Sequence, residues 1–320
     1  MKKQFLILQI SVIAVITLFT VIFLPGCASL SKSQMGTVAS FSNSCDSFAK
    51  YPSILFTEMA KIRADRGCFY TASLSDPLLR IKELNSLSKA LAADLELAKK
   101  MDISLEILVS YQRVLKSLSH TDRYNNTGRE FRSLGRNLDS LINRYNLIDI
   151  SDPLPLGVGK ALGRIVGYGA ELWVRSVQTK AVREYVVAGD SLVGAVSADI
   201  VKILSSKSVG ELIDNEAKGL DANYLSYLKS GEGSRNVGGN NFSGRDFSGD
   251  REYLMLLDRV NKLSVIRSSC VSAAKALAKA HGKIATEVVK RKKIKELYPE
   301  IEKLDDELYA LRLAVKKMNL

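Results

Sequence analysis

In this 320-residue chain the side chains able to do chemistry are few and scattered. Val186-Val187-Ala188-Gly189-Asp190-Ser191-Leu192 sets a serine hydroxyl beside a carboxylate, but a serine becomes a nucleophile only beside an oriented base. The sequence holds two histidines, His120 and His281. With no Cys-x-x-Cys or His-Glu-x-x-His spacing, little is left for a transition metal. There is no Gly-x-x-x-x-Gly-Lys loop to cradle a phosphate. Gly157, Gly159, Gly163, Gly167 and Gly169 do not follow a strand, so they make no dinucleotide fingerprint. Asp305-Asp306 are neighbours in a charged helical stretch and point to different faces, as solvated surface. His281 falls on an apolar seam and reads as a hydrogen-bonded core histidine. No cofactor, metal or small-molecule substrate is implied, and catalysis is not expected.

The Gly189-Asp190-Ser191-Leu192 string resembles the nucleophile block of the GDSL (SGNH) hydrolases. In that family the serine follows a β-strand, and later blocks supply a Gly-x-Asn oxyanion donor and an Asp-x-x-His pair. Gly238-Gly239-Asn240 imitates the second block inside a low-complexity stretch. The residue three before His281 is Ala278, however, and no alternating strand–helix pattern surrounds the serine. An esterase centred on Ser191 is the lesser alternative. The preferred reading is a helix joint at which Asp190 caps the next helical segment.

Met1-Lys2-Lys3 opens a leader whose apolar run, Phe5 to Leu24, ends in small residues before a cysteine, the layout of a secretory signal peptide. Leu24-Pro25-Gly26-Cys27 resembles the lipobox of bacterial lipoproteins. That resemblance implies a thioether-linked diacylglycerol on Cys27, cleavage in front of it by signal peptidase II, and acylation of the new amine. It covers residues 1–27 and names no family for the mature chain. The alternative is an uncleaved transmembrane helix, since roughly 20 apolar residues span a bilayer. Lipidation implies a membrane partner and a place in the bacterial cell envelope. Ala28 at the second mature position implies the periplasmic face of the outer membrane if the host has two membranes.

Loss of a leader carrying Lys2 and Lys3 lowers the formal charge from +12 to +10. An exported basic protein meets anionic lipids or wall polymers rather than nucleic acid. The local focus is Lys290, Arg291, Lys292, Lys293 and Lys295. These residues read either as a solvated helix end that complements the macrodipole or as a surface for an anionic polymer or envelope protein. Of the four cysteines, Cys45 and Cys68 flank one expected helix, and an oxidising compartment permits a bridge between them. Cys270 reads as a buried small hydrophobe.

These residues need a scaffold, and its period is helical. Ser29 to Ser44 is Ser-rich and reads as a tether. Ser53 to Arg66 reads as a short helix closed by Gly67. Ser75-Asp76-Pro77 starts another. Its stripe runs from Leu84 through Leu95, Met101 and Leu108 to Leu118, as one long helix or two joined near Asp102. Phe131, Leu134, Leu138, Leu141, Ile142 and Tyr145 form the next face, ended by Ser151-Asp152-Pro153-Leu154-Pro155. The Gly-rich stretch beyond it, around Trp173, reads as a tightly packed central helix pair, and Val209 to Leu228 as a further helix.

Leu256, Val260, Leu263, Cys270, Ala274, Leu277, Ile284 and Val288 make a heptad-like seam. Beyond Tyr298-Pro299, Ile301, Leu304, Leu308, Leu311 and Val315 run back. The expected fold is all-α: an elongated multi-helix bundle with long antiparallel coiled-coil-like helices. Its parts are a signal peptide (1–26), a lipidated tether (27–44), a helical bundle (45–230), a Gly/Asn/Ser-rich loop (231–249) and a helical hairpin (250–320) completing the same bundle. The expected function is an anchored binding, scaffold or secretion-accessory module. A membrane-active or exclusion factor is the alternative.

Overall fold

The computed structural model describes residues 32–119, 127–147, 153–161, 175–230, 234–236, 243–245, 247–290 and 298–318. Eight helices are bounded within them: α1 (Lys32–Phe48), α2 (Pro52–Ala72), α3 (Pro77–Ser119), α4 (Thr127–Asn146), α5 (Arg175–Ser205), α6 (Lys207–Lys229), α7 (Phe247–Lys290) and α8 (Tyr298–Lys316). The fold is all-α and multi-helical. The leader, the Leu24–Cys27 motif, His120, most of the 157–169 glycines, Trp173 and Arg291 to Lys295 lie outside the described residues.

Two long helices run through the molecule. At 43 residues for α3 and 44 for α7, each is about 65 Å long at 1.5 Å per residue. The paired shorter helices are ranged one after another along them. The C-terminal half of α3 meets α1, where Gln112 lies beside Cys45, and its N-terminal half meets α2, where Leu87 lies over Gly67. Likewise α5 and α6 run antiparallel to α7. Arg183 reaches the Val288 carbonyl (3.0 Å), Arg267 reaches the Leu204 carbonyl (2.5 Å), and the Tyr253 hydroxyl donates to Asp221 (2.8 Å). The return helix α8 is antiparallel to α7, with Lys279 paired to Glu300 at 3.0 Å and Lys262 on the Lys317 carbonyl.

The seam residues behave as their period requires. All eight from Leu256 to Val288 are buried, as are Ile301, Leu304, Leu308, Leu311 and Val315. One hydrophobic core draws on α1 to α5 and α6 to α8 together, including residues on both sides of the 231–249 stretch. Each fully buried leucine there contributes about 1.5–3 kcal/mol by leaving water.

Several expectations change. Residues 32–44 are no tether: Val38, Phe41, Cys45 and Phe48, spaced three, four and three apart, are buried at 0–1 % exposure on α1. Of the serines between them, Ser40 is exposed and Ser47 half-buried, whereas Ser42 and Ser44 are buried with the apolar residues. α2 does not stop at Gly67 but continues to Ala72; the glycine marks a close approach to α3 rather than a helix end, since an added Cβ would stand 2.5 Å from Leu87. There is no joint near Asp102, and none at Asp190, since α3 and α5 run through both. The stripe of α3 overshoots the core, for Leu84 is 42 % exposed and no residue from Asp76 to Ala92 is buried. Within the 231–249 stretch, Ser234–Asn236 and Ser243–Arg245 pair as an antiparallel ribbon in the register Ser234 to Arg245, and α7 already starts at Phe247.

Candidate functional site

The expected bridge between Cys45 and Cys68 is absent, and both are free thiols. Cys45 lies near the corner between α1 and α2, whereas Cys68 lies sixteen residues beyond Pro52 on α2. Continuous helix makes that about 24 Å, against the 4.4–6.8 Å between Cα atoms that a disulfide usually spans. Desolvation drives the Cys45 thiol far above its ordinary range. Burial likewise pushes Cys270 up to about 12. Neither is a nucleophile. Cys68 is exposed, and its thiol is also raised, by partial burial and then by Asp65.

Asp190 and His281 do come together, although not as a hydrolase would use them. His281 is fully buried on α7, with Nδ1 3.0 Å from the Asp190 carboxylate on α5 and Nε2 2.8 Å from the Tyr111 hydroxyl on α3. A carboxylate accepts only, so Nδ1 carries a proton and donates, while Nε2 shares its hydrogen bond with the Tyr111 hydroxyl. Both ring nitrogens are thereby hydrogen-bonded. The His281 hydrogen bond holds the Asp190 carboxyl below its usual range. Burial keeps the Tyr111 phenol protonated.

Rings cover the inner part of the network, while the Asp190 side chain reaches solvent. Tyr185 stacks on Tyr111 at 4.8 Å, and Phe41 lies 5.4 Å from the imidazole. Gly189 is glycine for a packing reason, since a Cβ there would stand 2.1 Å from the Tyr111 ring. The glycine and the aspartate of the Gly-Asp-Ser-Leu string therefore serve the core, while Ser191 is exposed and has no histidine partner among the described residues.

Beside this core lies a more accessible feature. A groove of about 500 Å³ runs between α3 and α4, lined by Asp102, Leu105, Glu106, Val109, Ser110, Arg113, Asn137, Leu141, Arg144 and Ala49. Asp102, Glu106, Val109 and Arg113 are four, three and four residues apart, one stripe of α3. Ser110 is 3 % exposed, and its Oγ has no hydrogen-bond partner among the described residues. Such a group is unusual, because buried polar atoms are nearly always paired. Composition could not single these residues out, since charged positions on a helix normally read as solvated surface.

Of the expected basic cluster, only the backbone of Lys290 is described, as the last residue of α7. Asp305 is not simply solvated, for it accepts from Ser44 Oγ at 2.5 Å. Among the described residues no group of three or more His, Cys, Asp or Glu side chains could hold a metal ion, and no helix is long and apolar enough to cross a membrane. No protein-family model matches this chain, and neither a curated protein nor a solved structure matches it.

Proposed function

We propose that the chain is a lipid-anchored envelope protein that acts without catalysis, as a helical scaffold holding binding surfaces away from the membrane. One observation carries the reading. α1 starts at Lys32, five positions after Cys27 in the sequence, and its Thr37 and Ser40 line a hollow with Tyr298 and Ile301 of α8. The described part of the chain thus starts, with α1, at the end of the bundle where α8 begins. Lys290, Arg291, Lys292, Lys293 and Lys295 belong to the sequence joining α7 to that start.

Lipid and positive charge would then act on one anionic surface. Stable anchoring takes two such signals, and each Lys or Arg close to an anionic leaflet is worth about 1 kcal/mol. About 65 Å of helix separates this end from the turn between α2 and α3. At that tip, Leu78, Ile81, Leu225, Phe247 and Leu254 are 78, 56, 51, 75 and 62 % exposed. Apolar side chains gathered at one end mark a contact surface more readily than scattered ones.

Labelled palmitate should enter the wild type and not Cys27→Ser, and an inhibitor of signal peptidase II should accumulate the uncleaved form. A mature chain with a free amine at another residue overturns the anchor. Envelope proteins cross-linked to the wild type in intact cells should be lost from a Leu78→Asp, Leu254→Asp double variant that still folds. Unchanged cross-linking of that variant overturns the tip as the contact surface.

A further inference from the structure

Positive charge gathers at a second corner of the bundle, at the same end as the start of α8. The Gln178 amide of α5 donates to the Leu118 carbonyl at 2.9 Å, so the end of α3 stands beside the start of α5. Arg183 of α5 reaches the Val288 carbonyl near the end of α7, and Lys279 of α7 pairs with Glu300 near the start of α8. Ser119, the last residue of α3, therefore lies at the end of the molecule where α8 begins.

Antiparallel packing brings the start of α4 to the same corner. Tyr145 donates to Asp199, fourteen residues along α5 from Tyr185, whose hydroxyl donates to the Tyr111 carbonyl. Arg132 is thirteen residues back from Tyr145 along α4, about the same rise, so it stands level with Tyr111 and Arg113. Arg113 and Lys116 lie about 9 and 5 Å from the end of α3, and Arg132 and Arg136 about 8 and 14 Å from the start of α4. All four are exposed, and none is in a salt bridge among the described residues. Of the carboxylates at this corner, Glu130 is in the first turn of α4, and Glu184 of α5 is paired with Lys180 at 3.8 Å.

The layout of these cations selects the partner. Arg113 lines the α3–α4 groove, but Lys116, Arg132 and Arg136 are not part of its lining. The charges are spread over the outside of two helices and converge on no cavity. Phe131 and Leu138 of α4 are buried, so the surface offers charge rather than an apolar wedge. A small anion meets such cations one at a time, whereas a sheet of lipid phosphates meets them together.

We propose that this corner rests on the anionic leaflet that holds the lipid anchor, an inference that depends on the anchored orientation argued above. The bundle then stands on two basic feet: the α3–α4 corner, and the Lys290 to Lys295 sequence between α7 and α8. α4 packs on α3, whereas α8 packs on α7 and α1, so the feet are separate. Support at two places resists tilting and holds the far tip at its full height.

The test uses the mature full-length chain, held in vesicles through its own N-terminus and treated with phenylglyoxal, which modifies accessible guanidiniums. With phosphatidylglycerol in the vesicles, modification of Arg113 and Arg132 should fall about tenfold below that in pure phosphatidylcholine, as cations close to an anionic leaflet are held there. Salt at about 1 M should restore it, because the Debye length falls to about 3 Å. Arg80 and Arg251, at the far tip, should react equally in both vesicles. Equal modification of Arg113 and Arg132 in the two vesicle types overturns the proposal. So does equal shielding by inorganic phosphate in phosphatidylcholine vesicles, which makes the cluster a site for a free anion. Failure of the anchor has a separate sign, since the chain then washes off phosphatidylcholine vesicles. Binding to anionic vesicles still reports the corner in that case. An Arg113→Gln, Lys116→Gln, Arg132→Gln variant with an unchanged melting temperature should bind them about tenfold more weakly, and unchanged binding overturns the proposal.

Discussion

The two ends of this bundle are built on different physics. Around α5, α8 and the C-terminal halves of α3 and α7, the interior is a largely apolar seam, crossed by the relay Tyr111–His281–Asp190 and by other buried polar groups, among them Asp199, which accepts from Tyr145, and Glu287. Towards the turn between α2 and α3, the apolar core shrinks to Phe69, Leu220 and Leu256 with flanking tyrosines. Charge supplies the remaining contacts there. Glu216, 1 % exposed, is clamped by Arg63 (2.7 Å) and Arg66 (2.6 Å). Glu58, also 1 % exposed, is held by Lys61 (2.8 Å) and Arg259 (3.0 Å), and Arg259 reaches on to Asp65 (2.8 Å). Tyr224 stacks on Tyr253 at 4.4 Å. Buried ion pairs add little net stability against their desolvation cost, so the tip is expected to open before the apolar end.

Replacement of Glu216 by alanine separates the two regions most strongly. It leaves Arg63 and Arg66 facing a buried void, a change that costs about 3–5 kcal/mol in such clamps. Hydrogen exchange should accelerate in α6 and the C-terminal half of α2 while α5 stays protected. Leu277→Ala, in the seam, should cost about 2–5 kcal/mol and lower protection throughout. If both variants lose protection everywhere, the bundle is one cooperative unit and the distinction between its ends fails.

Tyr111→Phe probes the relay itself. It removes the hydrogen-bond partner of His281 Nε2 and should cost about 1–3 kcal/mol, with the tip unaffected. A stabilised variant would mean that the hydroxyl is only tolerated.

Acid sharpens the same contrast. The Asp190 carboxyl titrates below its ordinary value because His281 donates to it. A carboxylate depressed in the folded state contributes stability that is present above its unfolded pKa of about 3.9 and lost as pH falls through the folded value. Wild-type stability should therefore exceed that of Asp190→Asn at neutral pH, and the two should converge below about pH 4. A gap that persists at pH 2 would trace the effect to packing instead.

The smallest effect is a difference in reactivity. At neutral pH a disulfide reagent should modify Cys68 in the folded chain and leave Cys45 and Cys270 until unfolding, with no change in stability. Rapid loss of Cys45 would show that the seam around α1 opens easily.

Legibility in the sequence runs along a physical line. Seams such as Leu256 to Val288 are legible because burial and helical period coincide. The serines of α1 obscure it, although Val38, Phe41, Cys45 and Phe48 keep helical spacing. The interval from Cys45 to Cys68 suggests a closable loop only if the intervening helix is ignored. Gly189 and Ser191 suggest a joint by intrinsic propensity, and the Tyr111 ring packed over Gly189 overrides it. The relay has no local signature, since His281 is 170 residues from Tyr111 and 91 from Asp190. Ser110 in the groove has no sequence signature either, since the missing partner of its hydroxyl, shared with Ser42 and Ser197, shows only once the helices are packed.

Distance from the bilayer tests the orientation directly. The full-length chain, with Cys68→Ser, would be reconstituted through its N-terminus into anionic vesicles containing an acceptor-labelled lipid. Donors would be attached singly through Glu302→Cys near the start of α8 and Lys229→Cys at the end of α6. About 65 Å of helix lies between those ends, so energy transfer should be strong from position 302 and weak from position 229. Equal transfer from both, or stronger transfer from position 229, would contradict a scaffold held to the membrane by its α1 and α8 end.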